Sequence, residues 1–99
     1  MTDRITIDRE QLAAFCRRNQ IVRLALFGSV LRDDFRPDSD VDVLVWFAPE
    51  RHVTLFDMVE MEEELATIIG RKVDLRTPED LSRLFRAEVV NEAEVQYAA

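Results

Sequence analysis

The chain is 99 residues long, 47% hydrophobic and 33% charged, which is one domain's worth of sequence and enough to bury a core without disulfides or structural metal. Its 13 basic and 20 acidic residues leave a net charge of −7, which excludes a surface built to neutralise the phosphates of long DNA or RNA. The longest apolar run, residues 43–48, is too short to span a bilayer. The first eight residues carry no apolar stretch for a signal peptide, and Cys16 has no second cysteine to pair with, so a single domain over 1–99 is expected in the cytoplasm, away from membranes.

Asp8 and Gln11 match a capping box, and Ile7 with Leu12 match its hydrophobic staple, so a first helix starts there. Leu12, Phe15 and Cys16 make its apolar stripe, and Asn19 ends it. Residues 21–27 are rich in branched and aromatic side chains and predict a strand, which stops at Gly28-Ser29, the opening of a short turn or helix. Arg36-Pro37-Asp38-Ser39 reads as a turn, and residues 40–47 predict a second strand closed by Pro49. A long helix is expected from about 54 to 69, burying Leu55, Met58, Leu65, Ile68 and Ile69, with Gly70 as its stop. Residues 72–76 predict a third strand, and Thr77-Pro78 predicts a helix capped by the threonine. Val89, Val90, Ala93 and Tyr97 recur at helical spacing, so a terminal helix is expected to pack back on the sheet. The alternation as a whole predicts an α/β fold, a small mixed β-sheet flanked by helices.

The chemistry concentrates between Gly28 and Val45. Side chains alternate along a strand, so Asp40 and Asp42 point to one side while Val41, Val43 and Val45 take the other. Two carboxylates that close repel unless a cation sits between them, and oxygen ligands favour a hard ion, Mg²⁺ with substrate phosphates completing its shell. Asp74 lies between Val73 and Leu75 and joins the pair if the third strand runs beside the second. Three carboxylates can hold two metal ions about 3.5–4 Å apart, the spacing used for in-line phosphoryl displacement. Gly28 lets backbone N–H groups approach a phosphate, Ser29 adds a hydroxyl donor, and Arg32 is within a turn's reach of the same phosphates. By itself Asp-x-Asp is what any polar strand end shows. Gly-Ser after one strand, Asp-x-Asp opening the next and Asp inside a third is far more specific.

Gly28-Ser29, Asp40-Val41-Asp42 and Asp74 resemble the signature of the DNA-polymerase-β-like nucleotidyltransferases. Within that superfamily the chain is similar, over nearly its whole length, to the minimal nucleotidyltransferase (MNT) group, the MntA-like antitoxins. The resemblance implies a polymerase-β palm-like nucleotidyltransferase fold. It implies that Asp40 and Asp42 bind two Mg²⁺ ions, that Asp74 is a further metal ligand and general base, and that ATP is the nucleotide donor. It also implies a partner, a HEPN-type RNase toxin silenced by AMP transfer onto a tyrosine hydroxyl. Asp33 stands where the family often has a glycine after the loop arginine, so Arg32 has a competing role in pairing with Asp33, Asp34 or Asp38.

Three functions compete at this stage. The first is an enzyme that adenylylates a protein hydroxyl, favoured because so short a chain has no second domain to grip a small or nucleic-acid acceptor. The second is an antitoxin that masks its partner without catalysis, and the third is a small-molecule nucleotidyltransferase subunit. Cys16 reads as core packing, the Glu60, Glu62, Glu63, Glu64 run as a solvated helix face, Met58 and Met61 as packing, and His52 as having no role. Trp46 and Phe47 are compatible with either core or interface.

Overall fold

The first helix is set by Asp8, whose carboxylate accepts hydrogen bonds from the N–H groups of Glu10 (3.0 Å) and Gln11 (3.1 Å). That satisfies two of the donors a helix start leaves unpaired. In the computed structural model, which describes residues 5–32, 36 and 38–99, α1 (Arg9–Arg18) follows this cap. It leads into β1 (Ile21–Phe27), which runs straight into a single 3₁₀ turn over Gly28–Leu31. After the 36–39 turn come β2 (Val41–Phe47) and α2 (Leu55–Ile69). Thr54 and Asp57 cap each other at the start of α2, and Gly70 ends it at φ 78°, a left-handed conformation that suits glycine. Then follow β3 (Val73–Arg76), a 3₁₀ turn over Pro78–Asp80, α3 (Arg86–Glu92) and β4 (Glu94–Ala98).

The strands form one mixed sheet in the order β3-β2-β1-β4. β1 is antiparallel to both β2 and β4, while β2 and β3 are parallel and joined by the α2 crossover. One face carries Leu24, Leu26, Val41, Val43, Val45, Val73 and Leu75, which pack against Leu12, Phe15 and Cys16 of α1 and Met61, Leu65 and Ile69 of α2. Burial pushes the Cys16 thiol up to about 12, so it is an inert packing group, as its place on the apolar stripe predicts. Phe47 packs against this core, whereas Trp46 stays partly exposed under the Arg23 guanidinium, 4.6 Å from its ring centre.

Four expectations need correction. Thr77-Pro78 opens only a single 3₁₀ turn, capped by Asp80, and the α-helix proper begins at Arg86. The terminal segment is not a helix beyond Glu92. Ala93 turns extended (φ −61°, ψ 139°), and residues 94–98 become the edge strand that pairs Tyr97 with Leu24 and Ala98 with Arg23. Without it the outer edge of β1 would leave its backbone groups unpaired. Leu55 is 85% exposed, because the buried stripe of α2 runs through Met61, Leu65 and Ile69 and Leu55 lies to one side of it; Met58 and Ile68 do pack against the core. The glutamate run is not wholly solvated either. Glu62 is half-buried and its carboxylate accepts the outward N–H of Leu75 at 2.8 Å, while Glu64 pairs with Arg18. Pro37 of the predicted turn lies outside the described residues, but the Ser39 N–H does donate to the Arg36 carbonyl at 3.0 Å.

Leu65→Ala is expected to lower the unfolding free energy by about 2–5 kcal/mol, the cost of a cavity in a closed core. Leu55→Ala is expected to stay within about 0.5 kcal/mol, as surface changes do. Urea unfolding of the two variants checks both numbers, and equal losses would mean α2 packs differently from this arrangement.

Candidate active site

The site is a product of strand register. Alternation along β2 buries Val41, Val43 and Val45 and turns Asp42 to the opposite face of the sheet. The parallel ladder with β3 pairs Val41 with Val73, Asp42 with Asp74 and Val43 with Leu75. The hydrophobic pairs therefore share the core face, and the two aspartates are left side by side on the other. Asp40 is exposed one residue before β2. The backbone leading to it is held by Arg71, whose guanidinium donates to the carbonyls of Arg36 (2.8 Å) and Ser39 (3.1 Å). Directly after it, the Val41 N–H donates to the Lys72 carbonyl at 2.8 Å and begins the ladder.

β1 delivers the second half. Its last residue, Phe27, is the cross-strand partner of Asp42, so Gly28 emerges against that carboxylate. Gly28 has φ +76°, and a Cβ built there would run into Asp42 Oδ2 and lie 3.1 Å from its Cγ. Only glycine fits both the conformation and the space. The following turn is closed by the Arg32 N–H donating to the Ser29 carbonyl (2.9 Å) and anchored by fully buried Val30. A cavity of about 480 Å³ opens beside it, lined by Phe27, Gly28, Leu31 and Arg32 and walled from α3 by Val89 and Glu92. That volume is within the range of small-ligand pockets. A smaller depression of about 350 Å³ between α1 and α2, lined by residues such as Ala14 and Thr67, is remote from the carboxylates.

Burial raises the Asp42 carboxyl above its ordinary value, the negative charges of Asp74 and Asp40 raise it further, and Arg76 and Arg32 partly offset them. Asp74 is gripped by Arg76, with Nε to Oδ1 and Nη2 to Oδ2 both at 3.3 Å. Among the described residues no three acidic, histidine or cysteine side chains converge into a ready metal cage. Of the expected trio, Asp42 and Asp74 are brought together and Asp40 stays within electrostatic reach. The donor set is nevertheless the right chemistry for a hard cation: all oxygen, mutually repelling, and packed against a glycine that leaves room for phosphate. Arg32 is close enough to Asp42 to favour its charge, while Asp33 and Asp34, two of its three expected partners, lie outside the described residues. Sequence reasoning missed Arg71, Arg76, Val89 and Glu92. Only Arg76 carried a usable signal, since it stands two residues after Asp74 on one strand and so shares its face.

The nucleotidyltransferase domain family matches residues 8–96, nearly the whole chain. The chain belongs to this family. A nucleotidyltransferase relative from Methanocaldococcus jannaschii, assigned as a protein adenylyltransferase, is 32% identical over 76 residues, which cover 77% of this chain and 80% of the relative. The solved structure of a minimal nucleotidyltransferase superposes with a TM-score of 0.69 at 38% identity, covering 86% of this chain and 85% of the other. The nucleotidyltransferase fold is also shared, at a TM-score of 0.64 and 22% identity over 92% of this chain and 70% of the other, with a solved complex of a tri-AMPylated Shewanella oneidensis HEPN toxin and its MNT antitoxin.

Two outcomes follow from this geometry. Gly28→Ala should remain folded but lose about 1–2 kcal/mol, from left-handed strain and the collision with Asp42, together with nucleotide binding. Gly70→Ala is the control: it shares the positive φ, but its Cβ would meet nothing within 4 Å, so only stability should fall. The second outcome concerns pH in EDTA. A carboxyl whose folded pKa is raised binds its proton more tightly in the native state, so its ionisation removes stability as pH rises from its ordinary value of 3.8 through the raised one. Asp42→Asn should therefore melt higher than wild type at pH 7, with the gap closing towards pH 3.5 (roughly below the unfolded pKa). A gap that does not change with pH would sink this account.

Proposed function

We propose that this chain transfers AMP from Mg²⁺-bound ATP to a tyrosine hydroxyl of a HEPN-type RNase partner, and so acts as that toxin's antitoxin. The observation that carries the proposal is the placement of Asp42 and Asp74 in register, with Gly28 seated against the Asp42 carboxylate. The adenylyltransferase assigned in Methanocaldococcus jannaschii and the fold shared with the antitoxin of an AMPylated toxin support it.

In this reading Asp40, Asp42 and Asp74 hold two Mg²⁺ ions, which supply charge neutralisation for the triphosphate and the departing pyrophosphate. Gly28 and Ser29 present N–H and hydroxyl donors to the phosphates, and Arg32 adds a cation at the mouth of the cavity. Asp74 takes the proton from the acceptor hydroxyl. The hydroxyl oxygen then bonds to the α-phosphorus, the bond from that phosphorus to the bridging oxygen of the β-phosphate breaks, and pyrophosphate leaves. The net charge of −7 argues for a protein acceptor over a nucleic-acid primer. In this reading the 99 residues act as one unit in the cytoplasm. Among the described residues no helix is long and apolar enough to cross a membrane.

A second reading, masking of the toxin without catalysis, draws on exposed apolar side chains that a bound partner would cover: Leu55 and Phe56 on α2, and Leu84 and Phe85 before α3. Calorimetric titration with ATP in Mg²⁺ and then in EDTA, followed by mass spectrometry of the co-expressed partner, separates the two. Wild type should bind ATP only with Mg²⁺ and add AMP to the partner, and Asp42→Asn should do neither while still forming the complex. Full protection from the toxin by Asp42→Asn would favour masking.

A further inference from the structure

Arg76 follows Asp74 by two residues on β3, so the strand's period sets both side chains on the face that carries Asp42. Its guanidinium engages both oxygens of the Asp74 carboxylate, at 3.3 Å each, while the side chain stays about half exposed. It also feels the charges of Asp42 and Asp80. Among the described hydrogen bonds, its contacts with Asp74 are the only ones its side chain makes. The guanidinium is therefore oriented by the carboxylates on this face.

We propose that Arg76 is the built-in counter-ion of this site and competes with a divalent cation for Asp74, so that the nucleotide-free protein holds bare metal weakly. This rests on the metal-binding reading of Asp42 and Asp74. A cation arriving at Asp74 must either displace part of the guanidinium fork or sit beside another positive charge. A hydrated metal ion brings nothing for the displaced guanidinium to bind. A metal–triphosphate complex brings phosphate oxygens, which match the arginine fork as a carboxylate does. Arg76 thereby biases the site towards the metal–nucleotide complex over the free ion.

Mn²⁺ binding, followed without nucleotide by loss of the free-ion electron paramagnetic resonance signal, tests the competition. The proteins compared are wild type, Arg76→Gln, Asp74→Asn, the double variant and Asp42→Asn, each checked for folding by thermal melting. Arg76→Gln should tighten Mn²⁺ binding roughly two- to fivefold, the range set by an exposed ion pair, and most of that gain should vanish once Asp74 is Asn. No gain, weaker binding, or an equal gain with Asp74 replaced would overturn the proposal, because Arg76 would then act as a support for Asp74 or merely as distant charge. If Mn²⁺ binding is absent from wild type and Arg76→Gln alike, or is indifferent to Asp42→Asn, the metal-site reading itself fails and this inference falls with it.

Discussion

The parallel pairing of β2 with β3 is the constraint on which the rest depends, because it forces two carboxylates together as the other side of a hydrophobic bargain. Sliding either strand by one residue would separate Asp42 from Asp74 but would turn Val41 and Val43, or Val73 and Leu75, out of the core. Burial of each such side chain is worth about 1.5–3 kcal/mol, whereas repulsion between half-exposed charges is on the order of 1 kcal/mol. The core wins, and the site is held in an arrangement its own charges oppose. Gly28 tightens the arrangement from the third side, since its bare Cα is what lets β1 end against Asp42.

The relief of that repulsion is distributed. Arg76 sits on Asp74, Arg32 lies near enough to Asp42 to favour its ionised form, and Arg71 holds the approach to Asp40 through backbone carbonyls. None of these replaces a cation placed between the carboxylates. They temper the repulsion among the carboxylates without cancelling it. A site of this kind gains most from a ligand that brings its own positive ions, which is how a metal–nucleotide complex presents itself.

Much of this was legible before any coordinates. Strand period is two, so Asp42 could be set on the face opposite Val41 and Val43 from spacing alone, whereas Asp74 joined it only on the condition that β3 runs beside β2 and Asp40 lies one residue before the strand; β1, β2, β3 and α2 fall within a residue or two of their expected limits. Gly28 was legible as a close-approach position, although what it approaches, the Asp42 carboxylate, was not. The C-terminal region misled because Val89, Val90, Ala93 and Tyr97 keep helical spacing across a break at Ala93. The competing force was an unpaired β1 edge, which no local pattern reveals. Leu55 misled for a related reason: its helical phase only flanks the buried stripe of Met61, Leu65 and Ile69, and among the described residues nothing covers it there. Glu62, one acid in a run of four, has a partner thirteen residues away on the chain, and nothing in its neighbours distinguishes it.

The join between α3 and β4 has a mechanical consequence. Val89 and Glu92 wall the cavity, and Glu92 is separated by Ala93 alone from the first residue of the edge strand. β4 also carries a bulge against β1 between Leu24 and Ala25, and its Gln96 carbonyl is tied to Arg9 at the start of α1. Slipping β4 by two residues would keep its inward and outward faces but drag the cavity wall about 6–7 Å along the sheet. The position of the cavity wall is therefore tied to the register of an edge strand, which the bulge and the Arg9 hydrogen bond both mark at a single alignment.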